Sequence, residues 1–530
     1  MSFWFFLEWL DGVLPQASLA VLYAMVLMTC CAVIREWFSS RKPRSVENHN
    51  STGSNVKTRK FFRELDLMEN LRYQGNLGIG NTQSVVLLLK SKVSMNLKRV
   101  QQTFSLLLAR HSLLTVSIYE HEDPKAKGKG LRSLYNQVRY FKEMKEDAIL
   151  DFSVKRTTAD QWKEKFQREL NKSFNSIQVS NGPLWRVAVL KENFLQEEEI
   201  YENAIILTAH TVICDGVSLV KICDQFLQIL NSYSEYGTNS STTLYPVRPA
   251  TSNLLRHIVT LSTFGKIFVA CKAIWKSFLS KATGGVKNQF TTVFPPPKCV
   301  DSNFVKRTNV LPLMLSEEMT QKLVIICKDR GCSVYSLMIA VSAVAIATVL
   351  QNGKLYVPMN IPFLLEWNIR KNCRPQIDDN ELGFFSLHCK TEVSVPATEI
   401  GSLAFWDFVI ACMKKLNSSI SKGDHFQHVK VLSVLNGGRT NNNSHHKDAL
   451  FRLSSIIQHK ITEDKNTVYK FNGLQFASDF DENGPVFSNN IVSLNGKLYW
   501  SIAYSTRMVT EKLANTFADN ILNIFQKVCT

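Results

Sequence analysis

Short apolar runs alternate with amphipathic stretches along most of the chain, a pattern typical of a mixed α/β protein. The run Ser84–Lys90 predicts a buried strand, and Ser94 is expected to cap the helix after it. A second strand is predicted at Ala204–His210, and an amphipathic helix follows the turn at Asp215 and Gly216. Strands and helices recur in the C-terminal half, so the pattern indicates two α/β lobes.

The C-terminal end carries a hairpin signal and a helix signal. Asn495-Gly496 separates the apolar runs Ile491–Leu494 and Lys497–Tyr504, which predicts a tight β-hairpin. A final amphipathic helix is expected to begin after Thr510.

The N-terminus carries a candidate membrane span. Ala17–Ile34 contains eighteen residues without a charge, and with neighbouring apolar residues the span extends over about 14–34. A cleavable signal peptide is the alternative, but the segment before the run carries Glu8 and Asp11 and no basic residue. The flanks therefore favour an uncleaved anchor over residues 1–38, followed by a polar, flexible tether over residues 39–58.

Charges beside the span predict its orientation. Four basic residues follow it and none precedes it: Arg35, Arg41, Lys42 and Arg44. This asymmetry predicts that the large C-terminal body faces the cytosol. The endoplasmic reticulum or another internal membrane is the expected location. Glycosylation sequons such as Asn239-Ser240-Ser241 support a lumenal body as the alternative, although such sequons also arise by chance in a chain rich in Asn and Ser.

The net charge of +17 suggests a polyanionic partner, which is an acyl-CoA, an anionic lipid surface or a nucleic acid. Neither zinc-finger spacing nor an RNA-binding aromatic signature is present, so nucleic acid is not expected. The twelve cysteines include no CxxC pair and are expected to be reduced. Leu254–Lys281 interleaves apolar and basic residues, and two interpretations stay open: a helix in the headgroup plane of an anionic leaflet, or a crossover helix packed on the protein.

The stretch Ala209–Gly216, with the sequence AHTVICDG, places a polar turn between a strand and a helix. It resembles the HHxxxDG signature of the condensation-domain and alcohol acyltransferase superfamily, whose fold is that of chloramphenicol acetyltransferase. Further segments resemble that family in order and spacing: Leu107–Leu114, Gly182–Arg186, Tyr356–Arg370 and the Leu382–Phe385 segment, which resembles a family strand.

The resemblance implies a role for each signature residue. The second His of the family is the catalytic base, and Thr211 stands in its place, while His210 stands at the first His. Thr does not titrate near pH 7 and cannot act as that base. Asp215 is then expected to hold the loop, with Arg370 as a candidate partner, and Gly216 to fit the turn.

His210 is the candidate replacement base. Because successive strand residues point to opposite faces, a one-residue bulge is expected to be needed to bring it into the cleft. Otherwise it is a structural histidine. His111 is expected to be a helix-end residue near the core, and the His445-His446 pair to lie in a surface loop; no metal site is expected.

The resemblance implies two chloramphenicol acetyltransferase-like lobes of mixed α/β structure with a cleft between them. The predicted boundaries are 59–250 for the first lobe, 251–300 for an amphipathic crossover segment and 301–530 for the second lobe. Two functions follow. One is acyl transfer from acyl-CoA, as co-substrate rather than cofactor, to an alcohol or amine acceptor that includes lipids. The other is a pseudoenzyme that binds acyl-CoA, lipid or a protein in the same cleft. A serine hydrolase is disfavoured because no Gly-x-Ser-x-Gly motif is present.

Overall fold

The computed structural model describes residues 61–73, 79–122, 137–144, 151–232, 243–282, 288–295, 307–434, 448–461, 467–480 and 484–530. The predicted span at 14–34, the tether at 39–58 and the His445-His446 pair lie outside these residues.

The first lobe is built on a mixed sheet with the strand order β13-β2-β8-β6-β5. Its strands are β2 (Ile79–Ser91), β5 (Phe152–Thr158), β6 (Trp185–Lys191), β8 (Ile200–His210) with the short β7 (Asn193–Leu195) beside it, and β13 (Lys470–Phe480). A smaller sheet has the order β1-β4-β3, from β1 (Phe61–Glu64), β3 (Val116–Glu122) and β4 (Gln137–Glu143). The helices of this half are α1 (Leu67–Tyr73), α2 (Leu97–Arg110), α3 (Trp162–Leu170), α4 (Ser176–Asn181) and α5 (Gly216–Ser232).

The second lobe is built on a sheet with the order β11-β10-β12-β14-β15-β9. Its strands are β9 (Thr308–Leu315), β10 (Met359–Asn368), β11 (Ser386–Val395), β12 (Phe451–His459), β14 (Phe487–Leu494) and β15 (Lys497–Ser505). The connecting helices are α6 (Thr251–Leu254), α7 (Arg256–Val259), α8 (Thr263–Ala282) and α9 (Gln289–Val293). The remaining helices are α10 (Glu317–Asp329), α11 (Val334–Leu350), α12 (Leu403–Lys422), α13 (Gln427–Val434) and α14 (Glu511–Cys529).

One strand crosses between the lobes. β13 comes from the C-terminal half of the chain but pairs antiparallel with β2 of the first sheet, with Ala477 opposite Ser84. On its other side Gln475 accepts a hydrogen bond from Ser501 of the second sheet. The first sheet is therefore completed by the second half of the sequence, which the pattern of strands and helices does not predict.

The C-terminal predictions are confirmed. β14 and β15 pair antiparallel across Asn495 and Gly496, which both have positive φ, as a two-residue hairpin turn requires. Thr510 caps α14 by accepting a hydrogen bond from the Leu513 amide.

Two local predictions are wrong. The α2 helix is capped by Asn96, which accepts from the Arg99 amide, while Ser94 instead donates to Glu192. Leu382–Phe385 is not a strand; it leads into β11, which begins at Ser386. In each place the observed contact comes from a residue distant in sequence. Ser94 donates to Glu192, and the Phe385 amide donates to Asp215.

The basic amphipathic segment divides into α6, α7 and α8. Leu254, Leu255 and Val259 are buried in a cluster with residues of the second lobe, so its first part packs on the protein. In α8, by contrast, Phe264 is 86% exposed and Phe268 is 67% exposed. Among the described residues, no single helix is both long and apolar enough to cross a membrane; α10 and α11 together pass by length and composition but are bent by 104°.

Candidate active site

The loop between β8 and α5 lies where the two lobes meet. Asp215 is the residue that fixes it: its carboxylate accepts the Ser218 amide at 2.8 Å, which caps the start of α5, and the Phe385 amide at 3.0 Å. The Phe385 contact comes from the second lobe. The loop is therefore held from both halves of the chain.

Arg370 completes this contact as the expected partner of Asp215. It donates from Nη1 and Nη2 to the two carboxylate oxygens at 2.9 and 3.0 Å, and both side chains are almost fully buried. Burial raises the pKa of Asp215, but the Arg370 charge and the hydrogen bonds outweigh it, so the net pKa lies below its ordinary value. Asp215 is thus a carboxylate at neutral pH, and its contacts hold the loop in place.

Ser218 is part of the same network and was not predicted. Its hydroxyl accepts from Arg370 at 2.9 Å and from the Gly383 amide at 3.2 Å. A serine in the first turn of an apolar helix gives no signal in the sequence that separates it from a surface serine.

Gly216 has a different role from the one predicted. Its φ is not positive, so the turn does not require glycine for its backbone conformation. Instead, a Cβ atom at this position would lie 2.8 Å from the Phe476 ring of the crossing strand β13. Glycine is needed because β13 approaches the start of α5 closely.

His210 is the last residue of β8 and is completely buried. The β2–β8 register runs without a shift to Thr82 and His210, so no bulge is present. His210 nevertheless lies on the same face as Ile206, which packs in a cluster with Val310 and Ala503 of the second lobe. The strand alternation thus puts His210 on the face that meets the second lobe without a bulge, while its access to an open cleft stays a prediction.

The ring of His210 is held as a neutral imidazole. Its Nδ1 accepts the Val212 amide at 3.1 Å, so the proton resides on Nε2, which has no hydrogen-bond partner among the described residues. Tyr73 stacks on it at 5.9 Å and Phe174 lies at 5.7 Å. Burial lowers the pKa of His210 to about 3, and hence the ring cannot take up a proton near pH 7.

Thr211 is also completely buried, and its hydroxyl oxygen has no hydrogen-bond partner within the described part of the chain. Val212, which follows it, borders an enclosed cavity of about 10 Å³ beside Gly383 and Phe384. Such a space holds at most one water molecule. The signature loop therefore offers a neutral N–H and a neutral hydroxyl, and neither titrates near pH 7.

His111 lies at the C-terminal end of α2, as predicted, and its Nε2 is 3.0 Å from the Gln225 side-chain oxygen. Burial lowers its pKa to about 4. It belongs to the core under the loop. No group of three or more His, Cys, Asp or Glu among the described residues is placed to hold a metal ion.

The polar residues between the two sheets form what we call the interlobe layer. The first sheet contributes Ser84, Thr208 and His210, and the second contributes Glu366, Arg452, Ser488 and Asn490. These residues alternate along their strands with side chains that face the helix-covered cores, such as Leu207 and Phe451. Arg452 donates to Ser488, and Ser84 hydrogen-bonds to Thr208.

A family model described as Condensation domain matches residues 80–362, which is more than half of the chain. The chain belongs to the condensation-domain family. The predicted family is thereby confirmed, including the mixed α/β fold. No curated protein matches the chain by sequence.

Solved structures share the same fold. The epimerization domain from the third module of tyrocidine synthetase B is 12% identical, with a TM-score of 0.58 over 90% of this chain and 98% of that one. The trichothecene 15-O-acetyltransferase TRI3 from Fusarium sporotrichioides is 12% identical, with a TM-score of 0.60 over 90% and 96%. Polyketide synthase associated protein 5 from Mycobacterium tuberculosis is 11% identical, with a TM-score of 0.57 over 89% and 99%. At these identities the likeness shows the fold.

Proposed function

We propose that this member of the condensation-domain family transfers an acyl group from acyl-CoA to an amine acceptor in the interlobe layer. Acyl transfer is supported by the family and by the likeness to an acetyltransferase fold. The observation that carries the choice of an amine is the chemistry of His210 and Thr211, which together provide no base near neutral pH.

An alcohol and an amine place different demands on such a site. An alcohol must lose its proton as it attacks, so it needs a base, and removing a general base costs roughly 10²- to 10⁴-fold in rate. A neutral amine attacks the thioester with its own lone pair. The C–N bond forms, the C–S bond breaks, and the amine proton passes to the departing thiolate, which leaves an amide and a thiol.

The neutral His210 ring has a defined part in this reaction. Its Nε2–H is buried without an acceptor among the described residues, so it can donate to the thioester oxygen as negative charge develops there. The Asp215–Arg370 pair positions the loop and does not touch the reacting atoms. The net charge of +17 suits a polyanionic donor such as acyl-CoA.

The experiment measures thioester consumption by the full-length protein in detergent, with a panel of acyl-CoAs and matched amine and alcohol acceptors. Wild type is compared with His210→Ala and Thr211→His, and Thr211→Val is the matched control without a titratable group. We expect wild type and Thr211→Val to consume thioester with amine acceptors, and His210→Ala to lose this turnover. Thr211→His should also turn over with alcohol acceptors. Wild-type turnover with alcohols equal to that with amines would contradict the proposal.

A non-catalytic binding protein is the second candidate function, and Thr211 at the base position favours it. In that case wild type consumes no thioester with any acceptor, while acyl-CoA still raises its melting temperature. Activity gained only in Thr211→His would then mark a pseudoenzyme with an intact binding site.

We further propose that the body faces the cytosol at an internal membrane and that α8 lies on its anionic surface. Phe264 and Phe268 are exposed on a helix that carries lysines and no acidic residue, and its Ala270 side is buried. Charge complementarity therefore favours an anionic leaflet.

Hydrogen exchange of Thr263–Ala282 tests this surface in lipid nanodiscs of phosphatidylcholine, with and without phosphatidylserine. Phosphatidylserine should protect the helix in wild type and not in a Phe264→Ser, Phe268→Ser variant. Phe194→Ser, at an exposed phenylalanine of β7, is the control. Equal exchange of wild type in both lipids would contradict the placement.

A further inference from the structure

A buried arginine with no ion-pair contact among the described residues lies beside the loop. Arg72, in α1, is 1% exposed, and none of its three guanidinium nitrogens has a hydrogen-bond partner among the described residues. Its guanidinium lies over the Phe384 ring at 4.2 Å, which fixes one face and leaves the N–H edges unused. Burial lowers the pKa of Arg72 to about 10, so it stays cationic at neutral pH.

A second buried arginine faces the same layer from the other lobe. On β12, Phe451 and Leu453 point into the helix-covered core, so Arg452 between them points toward the first lobe. Its Nε and Nη2 donate to the Ser488 hydroxyl at 3.0 and 2.7 Å. Its Nη1 has no acceptor within the described residues.

The charges around these two arginines do not balance. The charged groups that interact electrostatically with Arg72 are Glu366, Arg452 and Asp215. Asp215 is already paired with Arg370, and Glu366 accepts a hydrogen bond from Ser386 at 2.8 Å. Among the described residues, two guanidinium groups therefore share the Glu366 carboxylate, and a single positive charge is left in a buried place. A buried charge of this kind is stabilised when an anion with hydrogen-bond acceptors meets it.

The surplus charge lies at the proposed reaction site. Asp215, which fixes the loop after His210, is one of the charged neighbours of Arg72. A planar carboxylate matches the N–H edges of a guanidinium group in a bidentate contact, and its single charge equals the surplus. A phosphate dianion would overcompensate that charge.

We propose that Arg72 and Arg452 form a subsite for a carboxylate carried by one of the two substrates. This subsite rests on the proposed function, because it assigns the substrate class of the same interlobe layer. The carboxylate belongs either to the acyl group or to the amine acceptor, and both sources use the same contact.

Binding to the full-length protein in detergent tests the subsite without turnover. Succinyl-CoA is compared with butyryl-CoA for the acyl source, and β-alanine with propylamine for the acceptor source; each pair differs by a carboxylate in place of a methyl group. Wild type, Arg72→Met, Arg72→Gln and Arg452→Met are measured by calorimetry and by thermal unfolding. Arg168→Met, which removes an exposed arginine of a surface ion pair, is the matched control.

We expect wild type and Arg168→Met to prefer the charged member of one pair by about tenfold or more, and Arg72→Met and Arg72→Gln to lose that preference. Arg72→Met without ligand should melt no lower than wild type, because it removes a buried charge whose guanidinium nitrogens have no hydrogen-bond partner among the described residues. A purely structural arginine would instead lower the melting temperature and leave ligand preference unchanged.

The subsite is overturned if wild type shows no preference in either pair, if the preference persists in both Arg72 variants, or if inorganic phosphate competes as well as succinate. Its failure is distinct from that of the proposed function. If amides form from uncharged substrates and no preference for a carboxylate is found, the proposed function holds and the subsite is wrong. If the protein prefers the charged ligands but shows no turnover, the subsite holds and acyl transfer is wrong.

Discussion

The Asp215–Arg370 ion pair supports a quantitative prediction. Asp215→Asn keeps the side-chain shape but leaves Arg370 completely buried without its counterion. Removing one partner of such a pair costs about 3–5 kcal/mol of unfolding free energy. Arg370→Met leaves a buried carboxylate that retains the Ser218 and Phe385 amides, so it should cost less than Asp215→Asn.

The double variant isolates the pair. Asp215→Asn with Arg370→Met removes both charges, so its cost should fall short of the sum of the single costs by about 2–3 kcal/mol. The assay is denaturant unfolding of the full-length protein followed by tryptophan fluorescence, with all four proteins of the cycle at pH 7. The exposed Glu164–Arg168 pair on α3 is the matched control cycle, with an expected coupling of about 0.3–0.5 kcal/mol.

The pH dependence follows from the same contact. The folded-state pKa of Asp215 lies below its unfolded value of about 3.9. Its stabilisation is therefore fully present above the unfolded pKa and is lost as the pH falls through the folded pKa. A coupling at Asp215–Arg370 no larger than the control coupling would refute the account of the loop.

Two further predictions concern the buried histidines and the crossing strand. The pKa of His210 is about 3 and that of His111 about 4, both below the unfolded value of about 6.5, so their neutral burial stabilises the fold above that value and less as the pH falls. Melting temperature should fall between about pH 6.5 and 4, and His210→Gln and His111→Gln should each flatten the curve; a wild-type curve without this slope would contradict their burial as neutral rings. Gly216→Ala should cost about 1–3 kcal/mol, because the new methyl group meets the Phe476 ring, and Phe476→Leu should recover part of that loss in denaturant unfolding. No rescue would mean that Gly216 is needed for another reason.

Much of the fold follows from local pattern, and the misses share a cause. The hairpin at Asn495-Gly496 and the cap at Thr510 depend on neighbouring residues, so both could be predicted. The helix α11 is apolar on nearly all sides and has no periodic signal, since it is buried throughout. β13 joins a sheet whose other strands lie far away in sequence. Pattern carries no information about such pairing.

The candidate site divides in the same way. The signature loop and the place of Thr211 could be identified from the sequence, and Arg370 could be suggested as the partner of Asp215. The aromatic side chains that pack against His210, Tyr73 and Phe174, come from separate segments and carry no local signal. The same holds for Arg72 and Arg452, because only the meeting of the lobes brings the two arginines into one layer.

The most direct test of the central claim is the pH profile of kcat/KM with two amine acceptors of different pKa. If the protein supplies no base, the rate rises with pH along the titration of each amine, and the inflection moves when the amine is changed. Thr211→His should add a second inflection that does not move with the acceptor. A wild-type inflection that stays at the same pH for both amines would show a titrating base in the protein and contradict the account.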